Sequence, residues 1–112
     1  MEILRNILIV SALAFLSHRY IFTTIRVEGL SMYPTLKSKQ LLLVLKFTTI
    51  DLGDIIVFQL PNEKPFIKRV TGIENDKYYV LGDNTNNSKD SRHYGLIHKD
   101  DVIGKVWTPM GK

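Results

Sequence analysis

The chain predicts a mostly β fold, a coiled antiparallel domain, preceded by one N-terminal helix. Three features carry that prediction: six runs rich in β-branched and aromatic residues, the short turns that separate them, and an apolar stretch near the amino terminus. The apolar stretch comes first. From Ile7 to Leu16 only Ser11 interrupts the apolar residues, Ile3-Leu4 and Tyr20-Ile21-Phe22 flank them, and Arg5, Asn6, His18 and Arg19 mark the edges. A helix from Ile3 to Phe22 would hold about the twenty residues needed to span a bilayer, with Arg5 and Arg19 reaching for the headgroups. A cleavable signal peptide has the same basic start and short apolar run. Its small-x-small site, Ala12-Leu13-Ala14, falls inside the apolar run, so an uncleaved anchor is the preferred reading. An amphipathic helix lying on a surface fits less well, because the central run is apolar on every face.

The strand runs follow in order. Ile21 to Glu28 alternates, with Ile21, Ile25 and Val27 on one face; then come Leu41–Phe47, Asp54–Leu60, Phe66–Ile73, Lys77–Leu81 and Val102–Thr108. Asn75-Asp76 leaves space for little more than a hairpin turn between the fourth and fifth. With 112 residues and no internal repeat, this is one β-rich domain, 23–112, behind an anchor at 1–22, and its core is modest.

Composition narrows the chemistry. There is no Cys, which excludes disulfides and thiol catalysis. His18, His93 and His98 show no metal-ligand spacing, and nothing calls for a metal or a cofactor. The net charge of +4 is scattered through strands and turns, without a nucleic-acid motif, so anionic lipid headgroups suit it better than nucleic acid.

Ser31-Met32-Tyr33-Pro34-Thr35-Leu36 places a hydroxyl in a rigid turn just after the first strand, and Pro65-Phe66-Ile67-Lys68-Arg69-Val70 sets Lys68 among apolar residues. A Ser hydroxyl attacks only when a neighbouring base takes its proton, and Lys is such a base only when neutral. In water Lys keeps its proton to roughly pH 10.4, so Lys68 must be desolvated or crowded by another cation. Taken singly, a Ser in a turn is usually a cap and a Lys on a strand usually faces solvent; together the two suggest a Ser/Lys dyad. A third segment, the polar run from Gly82 to Gly95, reads by itself as a solvated surface loop.

These segments, in this order, resemble the motifs of the type I signal peptidases: Ser-Met-x-Pro-Thr-Leu, Lys-Arg-Val, and Gly-Asp-Asn-x-x-x-Ser-x-Asp-Ser-Arg-x-x-Gly. Gly53-Asp54-Ile55-Ile56-Val57-Phe58 resembles a fourth block. The resemblance implies a coiled β fold of the signal peptidase type, shared with self-cleaving repressors, and a serine endopeptidase on the extracytoplasmic face of the cell membrane. It implies Ser31 as nucleophile, Lys68 as general base, Ser88 as the group that orients Lys68, and Asp90 with Arg92 as an ion pair bracing the loop. Met32 would lie beside the scissile residue, and the Ser31 N–H would serve the oxyanion. Ile25, Val27, Met32, Leu36, Phe66 and Ile67 would line shallow pockets for small residues of an Ala-x-Ala site. The partners implied are preprotein signal peptides, the lipid bilayer and the secretion machinery.

Three departures from the family stand out. Gly29 occupies the position where some relatives carry a Ser that completes the oxyanion hole, as in the Gram-positive branch, and the second oxyanion donor stays unassigned. Gly72 to Tyr78 replaces a long insertion that forms a capping subdomain in larger relatives. Lys37-Ser38-Lys39-Gln40 replaces a Gly-Asp pair. The alternatives are a non-catalytic membrane module that binds signal peptides and a self-cleaving repressor-type switch. The latter would need an internal cleavage loop and a DNA-binding segment, and neither is visible.

Overall fold

The structure is a computed structural model; it describes residues 1–86 and 88–107, and only the backbone of residues 17–20. A helix, α1 (Glu2–Tyr20), leads into strands β1 (Phe22–Arg26), β2 (Leu41–Leu45), β3 (Ile55–Phe58), β4 (Phe66–Glu74) and β5 (Lys77–Leu81). A short helix α2 (Ser91–Tyr94), strand β6 (Ile97–His98), a 3-10 turn (Lys99–Asp101) and strand β7 (Val102–Val106) complete it. All seven strands form one antiparallel sheet in the order β1-β2-β7-β3-β4-β5-β6. The six predicted strands are present: four are trimmed, β4 runs one residue longer than predicted, β5 has the predicted bounds, and β6 was not predicted. The predicted end of the last, Thr108, lies outside the described residues, as does the rest of the β domain to residue 112.

The sheet coils, as expected. Three strands separate β1 from β4 in the sheet order, yet Ser31, just beyond β1, touches Lys68 on β4, so the sheet must curl to bring its distant parts together. Register shifts at Val57/Phe58 and Val70/Gly72 add local bend and twist. The β4–β5 hairpin closes on Asn75 and Asp76, with φ of 48° and 64°, the pair of positive values that a two-residue type I′ turn requires.

β3 explains where the core sits. All four of its residues are buried, because it is covered on both faces. Ile55 and Val57 pack with Val27, Met32, Leu36, Leu42, Val44, Ile67 and Val106 on one side; Ile56 and Phe58 pack with Val70, Val80 and Ile97 on the other. This is the period-two alternation of a strand, doubled. Ile25 and Val27 face the first cluster as expected, whereas Ile21 lies in the turn before β1 and is exposed.

Two expectations need correction. The polar run after β5 is not merely a solvated loop: Asp90 and Ser91 are buried, α2 forms inside the run and β6 directly after it. The N-terminal segment is helical, but among the described residues no helix is long and apolar enough to cross a membrane. The reason is length of apolar surface. The stretch Ile7–Leu16, broken only by Ser11, rises only about 15 Å at 1.5 Å per residue, against a hydrocarbon core of about 30 Å. Phe22, expected inside the helix, already belongs to β1. The role expected of Arg19 lies outside the described side chains. From Met1 to Leu16 every side chain of this segment is exposed.

Candidate active site

The Ser31 turn is built on two buried anchors. Leu30 to Leu36 folds back through bonds from Tyr33 N to Leu30 O (3.1 Å) and from Leu36 N to Met32 O (2.9 Å). Met32 and Leu36 plug into the first core cluster, which leaves Ser31 between them and the solvent, half-buried. Gly29, two residues earlier, has φ of 85°, in the left-handed region that favours glycine.

Lys68 is held differently. On β4 it stands opposite Ile56, so its side chain shares a face with Phe66 and Val70 at the rim of the second cluster. It is only 3% exposed, its ammonium lies 5.9 Å from the centre of the Phe66 ring, and its Nζ donates to Ser31 Oγ at 2.7 Å. Among the described residues no carboxylate sits within ion-pair distance of it. Burial therefore pushes the Lys68 pKa down, and the nearby charge of Asp90 opposes that only in part.

A third segment, Gly82 to Arg92, closes over this pair. Asp90 is fully buried and takes bonds from Arg92 Nε (2.8 Å) and Nη2 (3.0 Å), Gly82 N (3.0 Å), Arg92 N (3.2 Å) and Ser88 Oγ (3.1 Å). Burial alone would raise its pKa, but the bonds from Arg92, Gly82 and Ser88 outweigh it and hold the carboxyl well below the usual carboxylate range. Asp90 also caps α2, and His93 Nδ1 accepts from the Asp90 N–H. Gly82 lies where only glycine fits: a Cβ there would collide with Ser88 Oγ and come within 2.7 Å of Ser31 O.

Residues with no role assigned by sequence reasoning join the segments. Arg69 and Asp83 form a two-pronged ion pair (2.9 and 2.8 Å), and Arg69 also donates to Gly53 O. The Arg69 bonds hold the Asp83 carboxyl below its ordinary range. Asp83 N reaches Met32 Sδ (3.4 Å), and Asn84 donates from its backbone to Ser31 O (2.8 Å) and from Nδ2 to Leu30 O (2.9 Å). Gly-Asp-Asn directly after a strand was the available signal, since Asn offers two side-chain donors, but their acceptors lie more than fifty residues away in sequence.

A cleft of about 740 Å³ leads to Ser31 and Lys68, walled by Thr24–Met32 on one side and Lys64–Lys68 on the other, with Lys89 at its margin. Of the six expected pocket residues, Ile25, Val27, Met32, Phe66 and Ile67 line it. Leu36 does not. It is 5% exposed inside the first cluster, because the turn points it inward. Of the expected site residues, Ser31 and Lys68 are in contact, and Asp90 and Arg92 are paired. The hydroxyl of Ser88 bonds Asp90 rather than Lys68.

A serine hydroxyl in contact with a lysine whose pKa is lowered by burial is an arrangement that can serve as a nucleophile with its base. A model of the family described as "Signal peptidase, peptidase S26" matches residues 1–77 and 71–110, and the two pieces meet at the β4–β5 hairpin. The chain is 28% identical to signal peptidase I of Bacillus caldolyticus, over 78% of this chain and 78% of that protein. It is 25% identical to signal peptidase IB of Staphylococcus aureus, over 95% of this chain and 86% of that protein. Those alignments run to 143 and 165 positions against a chain of 112, so the relatives carry residues with no counterpart here. The chain belongs to the type I signal peptidases of the S26 peptidase family, in a short form.

Proposed function

We propose that this enzyme cleaves signal peptides from exported preproteins after an Ala-x-Ala type site, with Ser31 as nucleophile and Lys68 as general base. The observation that carries the reading is the 2.7 Å contact between Ser31 Oγ and the Nζ of a lysine that is 3% exposed. Neutral Lys68 takes the Ser31 proton as Oγ attacks the scissile carbonyl carbon. The Ser31 N–H donates to the oxyanion. Collapse breaks the C–N bond, Lys68 passes its proton to the leaving amine, and the acyl group stays on Oγ. Lys68 then deprotonates a water that releases the acid and restores Ser31. Ser88 donates to Asp90, which leaves its lone pairs available for the Lys68 ammonium formed at each transfer; Asp90 and Arg92 brace that loop.

Backbone geometry supports an extended substrate. Among the described residues β1 is an edge strand, and in β4 the ladder to β5 begins at Arg69, so the cleft side of Phe66 to Lys68 carries no strand partner there. A peptide strand fits between them, with alternate side chains over Ile25, Val27, Phe66 and Ile67. Val27, Met32 and Ile67 are also packed into the core, so the pocket floor is shallow and favours small residues. The exposed apolar faces of α1 support tethering to a lipid surface on the extracytoplasmic side, close to where the secretion machinery delivers its substrates.

The test is processing of a preprotein with an Ala-x-Ala site in liposomes by the intact chain, Ser31→Ala and Lys68→Met. Product from the intact chain alone is expected. Processing that survives Ser31→Ala contradicts the mechanism, and none from folded intact chain favours a binding module.

A further inference from the structure

We infer that the side chain of Asn84 is a positioning residue for the oxyanion hole: it holds and polarises the peptide group that carries the Ser31 N–H. The inference rests on the reading of Ser31 as nucleophile. The N–H of Ser31 and the C=O of Leu30 belong to one planar trans peptide, so they point in opposite directions. Asn84 Nδ2 donates to that carbonyl at 2.9 Å, and Tyr33 N donates to it at 3.1 Å. The plane is thereby fixed from behind, and among the described residues the Ser31 N–H has no hydrogen-bond acceptor of its own. The same asparagine donates from its backbone to Ser31 O at 2.8 Å. One residue therefore fixes the peptide planes on both sides of the Ser31 Cα, and with them the direction of both the N–H and the Cα–Cβ bond. Hydrogen bonds to the carbonyl also make the N–H at the other end of the same amide a stronger donor. This matters more because Gly29 offers no hydroxyl to share the oxyanion.

The test compares the intact chain with Asn84→Ala and Asn84→Asp. The aspartate variant keeps the shape of the side chain but, when ionised, cannot donate to Leu30 O. Two probes are used: a peptide aldehyde, whose hemiacetal with Ser31 carries an oxyanion, and the same peptide with a reduced, uncleavable CH2–NH bond at the scissile position. Loss of a direct oxyanion donor costs roughly 100-fold or more in kcat; Asn84 acts through the peptide, so about a tenfold fall in kcat is expected for both variants, with KM unchanged. Aldehyde affinity should fall by the same factor, while affinity for the reduced peptide holds. Equal loss of both ligands, a rise in KM at constant kcat, or unchanged kcat in both variants overturns the inference. If Ser31→Ala is as active as the intact chain, the reading of Ser31 itself has failed instead.

Discussion

Ser31 and Lys68, the two halves of the proposed dyad, are positioned by opposite means. Lys68 sits mid-ladder on β4, paired to β3 and buried against Phe66, so its place follows from the sheet that forms the core. Ser31 sits on a turn outside any ladder, and its place depends on Met32 and Leu36 below and on the Gly82–Asn84 segment beside it. Lys68 is thus held by the fold itself, whereas Ser31 is only as well placed as a distant loop allows. That loop in turn depends on Asp90.

The largest effect is therefore expected from Asp90→Ala, which touches neither reacting atom. It leaves the buried Gly82 N–H without its acceptor, alone a loss of about 1–3 kcal/mol, and frees Ser88 and Arg92. Unfolding in urea should show the lower stability, and kcat should fall with it. The pH dependence is a sharper mark. A carboxyl held below its unfolded value of about 3.9 contributes stability that is full above about pH 4 and drains as pH falls toward its folded pKa. Asp90→Ala should flatten the acid slope of stability between those limits.

A matched pair of core changes compares the two halves directly. Leu36→Ala, under the Ser31 turn, should cost about 2–5 kcal/mol and lower kcat, without changing which residues are accepted at the cleavage site, because Leu36 does not line the cleft. Ile56→Val, beneath Lys68, should cost only about 0.5–1.5 kcal/mol and leave kcat unchanged, since the ladder still holds the base. Equal loss of turnover per unit of stability in both variants would contradict the contrast.

The same contrast marks what the sequence could tell. Strands were legible because β-branched and aromatic runs alternate locally, and the Asn75-Asp76 turn because its residues tolerate positive φ. The Ser31–Lys68 contact and the Asp90–Arg92 ion pair were legible through motif order. Leu36 was misjudged because adjacency to Ser31 says nothing of direction; a turn sends neighbours to opposite sides. The buried, helical part of the 82–95 run was hidden because polar residues are expected outside, and only tertiary bonds to Asp90 and Ser91 bring them in. Arg69, Asp83 and Asn84 were not given roles, since their partners lie far along the chain. The apolar N-terminal run was read too generously, as its flanking polar residues shorten the surface that lipid can cover.

The most direct test of the dyad is the titration of Lys68 itself, followed by the NMR shift of its Cε in the intact chain and set beside the acid limb of kcat/KM. Lys68 is expected to lose its proton below the roughly 10.4 of a free lysine, at the pH where cleavage rises, because only the neutral amine accepts the Ser31 proton. A Lys68 that titrates at the ordinary value, with cleavage already complete at a pH where it is charged, would contradict its role as the base.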